Sequence, residues 1–203
     1  LTSGSDSRTF GGTLFELYTG GGGNDTISNG QQFGSDRSFD IASYAGVSGS
    51  IIANLGFETV TFGSTTVNSF TVNASAAGHG IDQVFGMDGV RGGQGNDTLV
   101  GGSNGGRELW EPNSGTDFID GNEDLDVVSY RAAPQGVYVD LGHGFALDGW
   151  GFVDRLVEVE GASGGDFNDT LIGGSVSFDE DVENEEFEGR AGNDFIDGGD
   201  TVD

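Results

Sequence analysis

The chain has 203 residues, of which 40 are glycine and none cysteine, and its 34 acidic side chains against 7 basic ones, all arginine, give a formal net charge of -27. Self-repulsion at that charge opposes compaction unless cations enter the structure, and nucleic acid and membrane insertion are set aside because the first needs a basic patch and the second an apolar run of spanning length. Without cysteine, bound metal is the available staple for an extracellular protein, and the absence of a signal peptide at residue 1 points to secretion by another route or to a piece of a longer protein.

From residue 11 the sequence divides into nine-residue turns with glycines at positions one and two, an acid at six and an apolar residue at eight. Residues 11–19 place Glu16 and Tyr18 there, and residues 20–28, which include Gly20 and Gly22, place Asp25 and Ile27. A longer turn ends at Asp40 and Ala42, and residues 3–10 form a degenerate first turn with Asp6 in the acidic position. Residues 43–55 then change to β-branched and aliphatic side chains, which predicts a strand. Residues 59–72, rich in Thr, Val, Phe and Asn, predict strand and hairpin. That stretch has no counterpart later in the sequence and is read as an insertion on one face of a repeat.

Residues 82–102 align without gaps on residues 154–174, an offset of 72, with Asp82, Gly89, Gly92, Gly93, Asn96, Asp97, Thr98, Leu99, Gly101 and Gly102 identical in the second copy. Between the copies come a long turn with Glu108 and Trp110, then residues 112–120 with Gly115 and Asp117, then residues 121–129 with Asp126. Strand patterning returns at 126–130 and 136–141, parallel to 40–44 and its sequel. After the copy that opens at Gly164 and carries Asp169, an acidic run over 179–188 includes Glu185, and the last turns supply Gly192, Asp194 and Asp203. The expected organisation is one repeat solenoid over 1–203, in long units of about 1–91, 92–163 and an incomplete 164–203.

In such a turn the glycine half bends sharply and the other half fits a short strand. The expected fold is therefore all-β, a parallel β-roll or β-helix, with Ile27, Leu99, Ile119, Val128, Leu171 and Ile196 stacked inward. Stacked loops would present carbonyls and one carboxylate each, and calcium takes six to eight oxygens at about 2.3–2.6 Å.

Gly92-Gly93-Gln94-Gly95-Asn96-Asp97-Thr98-Leu99-Val100 resembles the RTX, or haemolysin-type, calcium-binding repeat, Gly-Gly-x-Gly-x-Asp-x-(large apolar)-x, at every fixed position. Residues 20–28 do likewise, whereas Phe167, Arg190, Pro112, Asn113 and Asn122 stand where glycines are expected. The resemblance implies a β-roll with two turns per coil, several bound Ca2+ ions and a secreted or cell-surface bacterial protein exported by type I secretion. It implies that Asp97 pairs with Asp117, Asp169 with Asp194 and Asp25 with Asp6 on one edge. On the other edge it pairs Glu108 with Asp126, Glu185 with Asp203 and Glu16 with Asp40. The glycine loops at Gly20, Gly22, Gly92, Gly93, Gly95, Gly115, Gly164 and Gly192 complete the candidate metal set. The excursions after Tyr44 and Tyr130 could continue the roll as wider coils or fold out as hairpins.

Other motifs are weaker. Residues 120–131 begin like an EF-hand loop, but Leu125 sits where glycine is required and Arg131 where the bidentate Glu belongs. Gly-x-Ser-x-Gly occurs at 101–105 and 161–165 without the helix a nucleophile elbow needs. His79 and His143 read as exposed loop residues, the run 179–188 as a solvated face, and Tyr18, Trp110 and Phe187 as core or edge-covering aromatics. No catalytic or organic-cofactor site is expected, since nothing joins a nucleophile, a base and an orienting group. Two alternatives to a non-enzymatic calcium-binding module are kept. One is the glycan-contacting accessory module of a polysaccharide-modifying enzyme, through 59–72, Trp110 or Trp150. The other is a structural repeat of an adhesin or surface layer that self-associates through uncapped ends.

Overall fold

The computed structural model describes residues 7–9, 15–28, 39–103, 106–174 and 185–199. Each nine-residue turn contributes one short strand, and successive turns alternate between two sheets. Strands β1 (Ser7–Thr9), β2 (Phe15–Tyr18), β3 (Thr26–Ser28) and β4 (Phe39–Ser43) begin the alternation, with β1 parallel to β3 and β2 parallel to β4. Strands two turns apart are therefore neighbours, which is the geometry of a two-turn coil.

The first excursion holds β5 (Ile52–Asn54), β6 (Val60–Phe62), β7 (Thr65–Val67), β8 (Thr71–Asn73) and β9 (Ile81–Phe85). It runs backwards through the stack: β9 pairs in parallel with β3 of the preceding coil, β8 lies antiparallel between β9 and β5, and β5 faces the coil that follows. The regular turns resume with β10 (Gly89–Arg91), β11 (Thr98–Val100), β12 (Arg107–Glu111), β13 (Phe118–Asp120) and β14 (Leu125–Ser129). A second antiparallel meander follows in β15 (Tyr138–Asp140), β16 (Phe145–Leu147) and β17 (Val153–Val157), and β18 (Gly161–Ser163), β19 (Thr170–Ile172), β20 (Glu186–Glu188) and β21 (Phe195–Asp197) close the described chain. The result is a twelve-stranded sheet in the order β1-β3-β9-β8-β5-β11-β13-β17-β16-β15-β19-β21, and a seven-stranded parallel sheet in the order β2-β4-β10-β12-β14-β18-β20.

Both outcomes foreseen for the excursions occur. The meanders widen the sheet, and β6 with β7 folds out as a separate hairpin. Two expectations are corrected. Residues 43–55 are not one strand: Val47 N–H closes a turn on Tyr44 O at 2.8 Å, and only Ile52–Asn54 is extended. The turn sends Tyr44, Val47 and Ile51 into the core, which explains an apolar run without strand geometry. Nor is all of 59–72 unique, since β8 matches β16: Val72 lies opposite Asp82 as Ala146 lies opposite Asp154. Only the hairpin lacks a counterpart.

Alternation points positions six and eight of each turn inward. Ile27, Leu99, Ile119, Val128 and Leu171 are buried in one core that spans both sheets, with Trp110 and Tyr130. Ile196 departs from the expectation at 46% exposed, because β21 is the last described strand of its sheet and no described turn stacks on it. On the outer face, Phe62 of the hairpin packs edge-on against Phe118 at 5.9 Å. Asn54 ties the hairpin down by donating to the carbonyls of Glu58, Val67 and Asn68 at 2.8, 3.3 and 3.1 Å.

Candidate metal centres

The turn geometry stacks the glycine loops, and with them one carboxylate per turn, along each rim of the roll. On the rim of the twelve-stranded sheet, the Asp97 N–H donates to Asp117 Oδ1 at 2.7 Å and the Asp169 N–H to Asp194 Oδ1 at 3.0 Å. Both expected pairs are thus in contact. Asp25 behaves in the same way toward Asp82, at 2.8 Å. Its expected partner Asp6 lies outside the described residues. Where a meander interrupts the stack, the N–H groups of Ile51 and Val137 take over, donating to Oδ1 of Asp97 and Asp169 at 2.9 and 2.8 Å.

The rim of the seven-stranded sheet is built alike. Glu108 lies opposite Asp126 and Glu16 opposite Asp40 in strand register. Glu185, whose expected partner Asp203 lies outside the described residues, accepts the Gly174 N–H at 2.8 Å. The Asp40 N–H donates to Asp88 Oδ2 at 2.7 Å, and the Asp126 N–H to Glu160 Oε2 at 3.0 Å. Asp82, Asp154, Asp88 and Glu160 were not among the expected site residues. Their signal was present, since each pair sits at the duplication offset of 72 and is acidic in both copies.

The loops themselves carry the rest of the pattern. Position five is Asn because its side chain braces the adjacent loop: Asn24, Asn96 and Asn168 Oδ1 accept the N–H groups of Ile81, Thr116 and Asn193 at 2.9, 3.0 and 2.8 Å. Gly93 and Gly165 donate to Oδ2 of Asp97 and Asp169, each at 2.7 Å. Gly115, at φ 142°, backs onto the Gly95 carbonyl, and Gly192 onto that of Phe167. Gly22 is half-buried in its loop, and Gly164 leaves room for the Asp169 carboxylate.

These residues fit a hard cation on three observations. First, a Cβ on Gly20 would lie 2.7 Å from Asp82 Oδ2 and 2.8 Å from Asp25 Oδ2, and one on Gly92 would overlap Asp97 Oδ2 and lie 2.8 Å from the Pro112 carbonyl. The glycine thus opens a recess lined with oxygen. Second, Asp117 Oδ2 and Asp126 Oδ2 are buried and have no hydrogen-bond partner among the described residues, although such atoms are costly to leave unmatched. Third, burial pushes the Asp117 carboxyl up to about 8, with Asp154 adding to it, and Asp97 up to about 6 against the opposing amides of Ile51 and Gly93. Burial and then the Glu108 charge push Asp126 strongly upward, and burial takes Asp154 and Glu160 to about 7. A cation supplies the charge these groups lack. Among the described residues no cluster of three or more His, Cys, Asp or Glu side chains forms a metal cage, so any ion would draw on paired carboxylates plus backbone oxygens.

Three of the described arginines pair away from the rims. Arg91 and Arg131 pair with Glu111, and Arg107 with Glu186, on the outer face of the seven-stranded sheet. Trp110 is corrected as a glycan platform: it is fully buried, and its Nε1–H donates to Asp126 Oδ1 at 2.9 Å. Tyr18 is likewise buried, and Phe187 packs against the core. His143 is exposed beside Asp140, as a loop histidine would be, whereas His79 is half-buried with Nδ1 2.9 Å from the Gly21 carbonyl.

Comparison with known families finds the RTX calcium-binding nonapeptide repeat in four copies, at residues 10–32, 77–104, 162–175 and 183–203. No curated protein matches the chain. The second copy starts before Asp82, so its first turn, with Gly78 and Gly80, counts among the repeats although its spacing had hidden it.

Proposed function

We propose that this chain, which carries four copies of the RTX calcium-binding nonapeptide repeat, is a non-enzymatic module of a secreted or cell-surface protein that folds on meeting extracellular calcium. The observation that supports this most is the pair of carboxylate columns, one per rim, with buried oxygens at Asp117 and Asp126 that have no donor among the described residues. In this reading Asp97 with Asp117, Asp169 with Asp194, and Asp25 with Asp82 or Asp6 hold ions on one rim. Glu108 with Asp126, Glu16 with Asp40, and Glu185 with Asp203 hold them on the other, and carbonyls of the loops at Gly20, Gly22, Gly92, Gly93, Gly95, Gly115, Gly164 and Gly192 fill the shells. Calcium contributes only charge and coordination. The chain's own residues orient the carboxylates, through the amide of the neighbouring turn, and exclude water from them.

Because the ligands are brought together only by folding, ion binding free energy becomes folding free energy. Calorimetric titration of chelator-treated chain should show several calcium ions bound with a large folding enthalpy, and Asp97→Ala and Asp126→Ala should each lower the count. Absence of calcium binding at millimolar concentration would overturn the reading.

A further inference from the structure

Asp148 is a fully buried carboxylate outside every nine-residue turn, just past the end of β16. Its Oδ1 accepts three consecutive backbone N–H groups, from Trp150, Gly151 and Phe152, at 2.9, 2.9 and 2.8 Å. Its Oδ2 is buried without a hydrogen-bond partner among the described residues, and the same is true of Asp117 Oδ2.

Strand register carries both to one rim. Asp117 immediately precedes Phe118, which pairs with Arg155, and Asp154 pairs with Ala146, two residues before Asp148. Asp154, between them, accepts the Asp117 N–H at 2.9 Å and the Tyr130 hydroxyl at 2.8 Å, one bond to each oxygen. The charge of Asp148 is felt at Asp117 and at Asp154, where it disfavours ionisation. Arg155 offers no relief, because it turns to the outer face and lies over the Phe118 ring at 5.4 Å.

The first unit makes the comparison. Val72 stands opposite Asp82 as Ala146 stands opposite Asp154, so Ala74 occupies the place of Asp148. The second unit thus carries a smaller side chain next to the paired aspartate and a carboxylate where the first has a buried methyl group.

We propose that Asp148 and Asp117 together hold a calcium ion at the rim of the second meander, a site that the first unit lacks. The two carboxylate oxygens are joined by backbone carbonyls and water to reach calcium's six to eight ligands. The meander loop thereby stands in for the glycine loop missing from the stack after Asp117. The choice of calcium rests on the function proposed above, whereas the site itself rests on the two buried oxygens and lies outside the four matched repeats.

Asp148→Asn keeps the shape and an oxygen for the three amides but removes the charge. Equilibrium dialysis of the whole chain against calcium should show the variant holding one ion fewer than the unsubstituted chain, while Asp140→Asn, on the outer face, leaves the count unchanged. An equal count for Asp148→Asn would overturn the site. Should that variant fail to fold, terbium-exchanged crystals of the unsubstituted chain decide: an anomalous peak between Asp148 and Asp117 supports the site, and peaks at the repeat loops with none there overturn it. An unsubstituted chain that binds no calcium would instead overturn the repeat reading, and this ion with it.

Discussion

Position two of the nine-residue turn needs a left-handed backbone in several loops, and the occupants differ in what that costs. Gly21 adopts φ 87° freely, while Asn113 and Asn122 take φ 66° and 67° and recover the cost by donating Nδ2–H to the carbonyls of Gly92 and Gly101 at 2.8 and 2.9 Å. Arg190 sits at φ 65°, and its one ion pair among the described residues is an exposed contact to Glu188 at 3.8 Å, which is worth little. Arg190→Gly should therefore stabilise the calcium-loaded chain by about 1 kcal/mol, seen as a rise of roughly 2–4 °C in Tm; an unchanged or lowered Tm would show that the side chain compensates. Asp117 sets a second expectation at this scale. Its carboxyl stands near 8 in the calcium-free fold against about 3.9 in the unfolded chain, so the fold binds the extra proton. That stabilisation is full below about pH 4 and is lost as pH rises through about 8. In chelator, acidification from pH 8 to 5 should raise the β signal in circular dichroism, and a signal that falls would contradict it. With calcium present the same acidification weakens ion binding, because protons compete for the ligands. Asp97 and its partner Asp117 were legible from spacing alone. Asp82 and Asp154 were not, since they open strands of the meanders, where the glycine spacing that marks a turn has been stretched.

At the scale of elements, the regular turns were readable because a period of nine dictates both the bend and the inward residue. The meanders were not, because their direction depends on pairing with the preceding and following coils, which no local pattern encodes. Apolar residues at Tyr44, Val47 and Ile51 read as strand although they project from a turn, since burial and extension leave the same composition. The hairpin β6–β7 was legible as a hairpin but not where it docks. Asn54 holds it there, fully buried, with three carbonyls accepting from Nδ2 and the Gly56 N–H donating to Oδ1 at 3.0 Å. Asn54→Ala should cost on the order of 2 kcal/mol by leaving those groups unmatched, measured as a lower urea midpoint in calcium. A loss below about 0.5 kcal/mol, the ordinary range for surface changes, would mean that the ring contacts of Phe62 and Phe70 hold the hairpin unaided.

For the whole molecule, the net charge of -27 and the position of the arginines belong together. Arg91, Arg107 and Arg131 are paired on the outer face of one sheet, so the buried carboxylates along the rims depend on ions from outside. Each ion bound only by the folded chain adds about 2.7 kcal/mol at a concentration one hundred times its Kd, and several such sites together exceed the stability of an ordinary domain. Folding should then be switched by calcium as a unit. Far-ultraviolet circular dichroism of the chain at neutral pH, recorded in chelator and again in millimolar calcium, tests this most directly. A disordered spectrum that becomes a β spectrum when calcium is added is expected; the same β spectrum in both conditions would contradict calcium-driven folding.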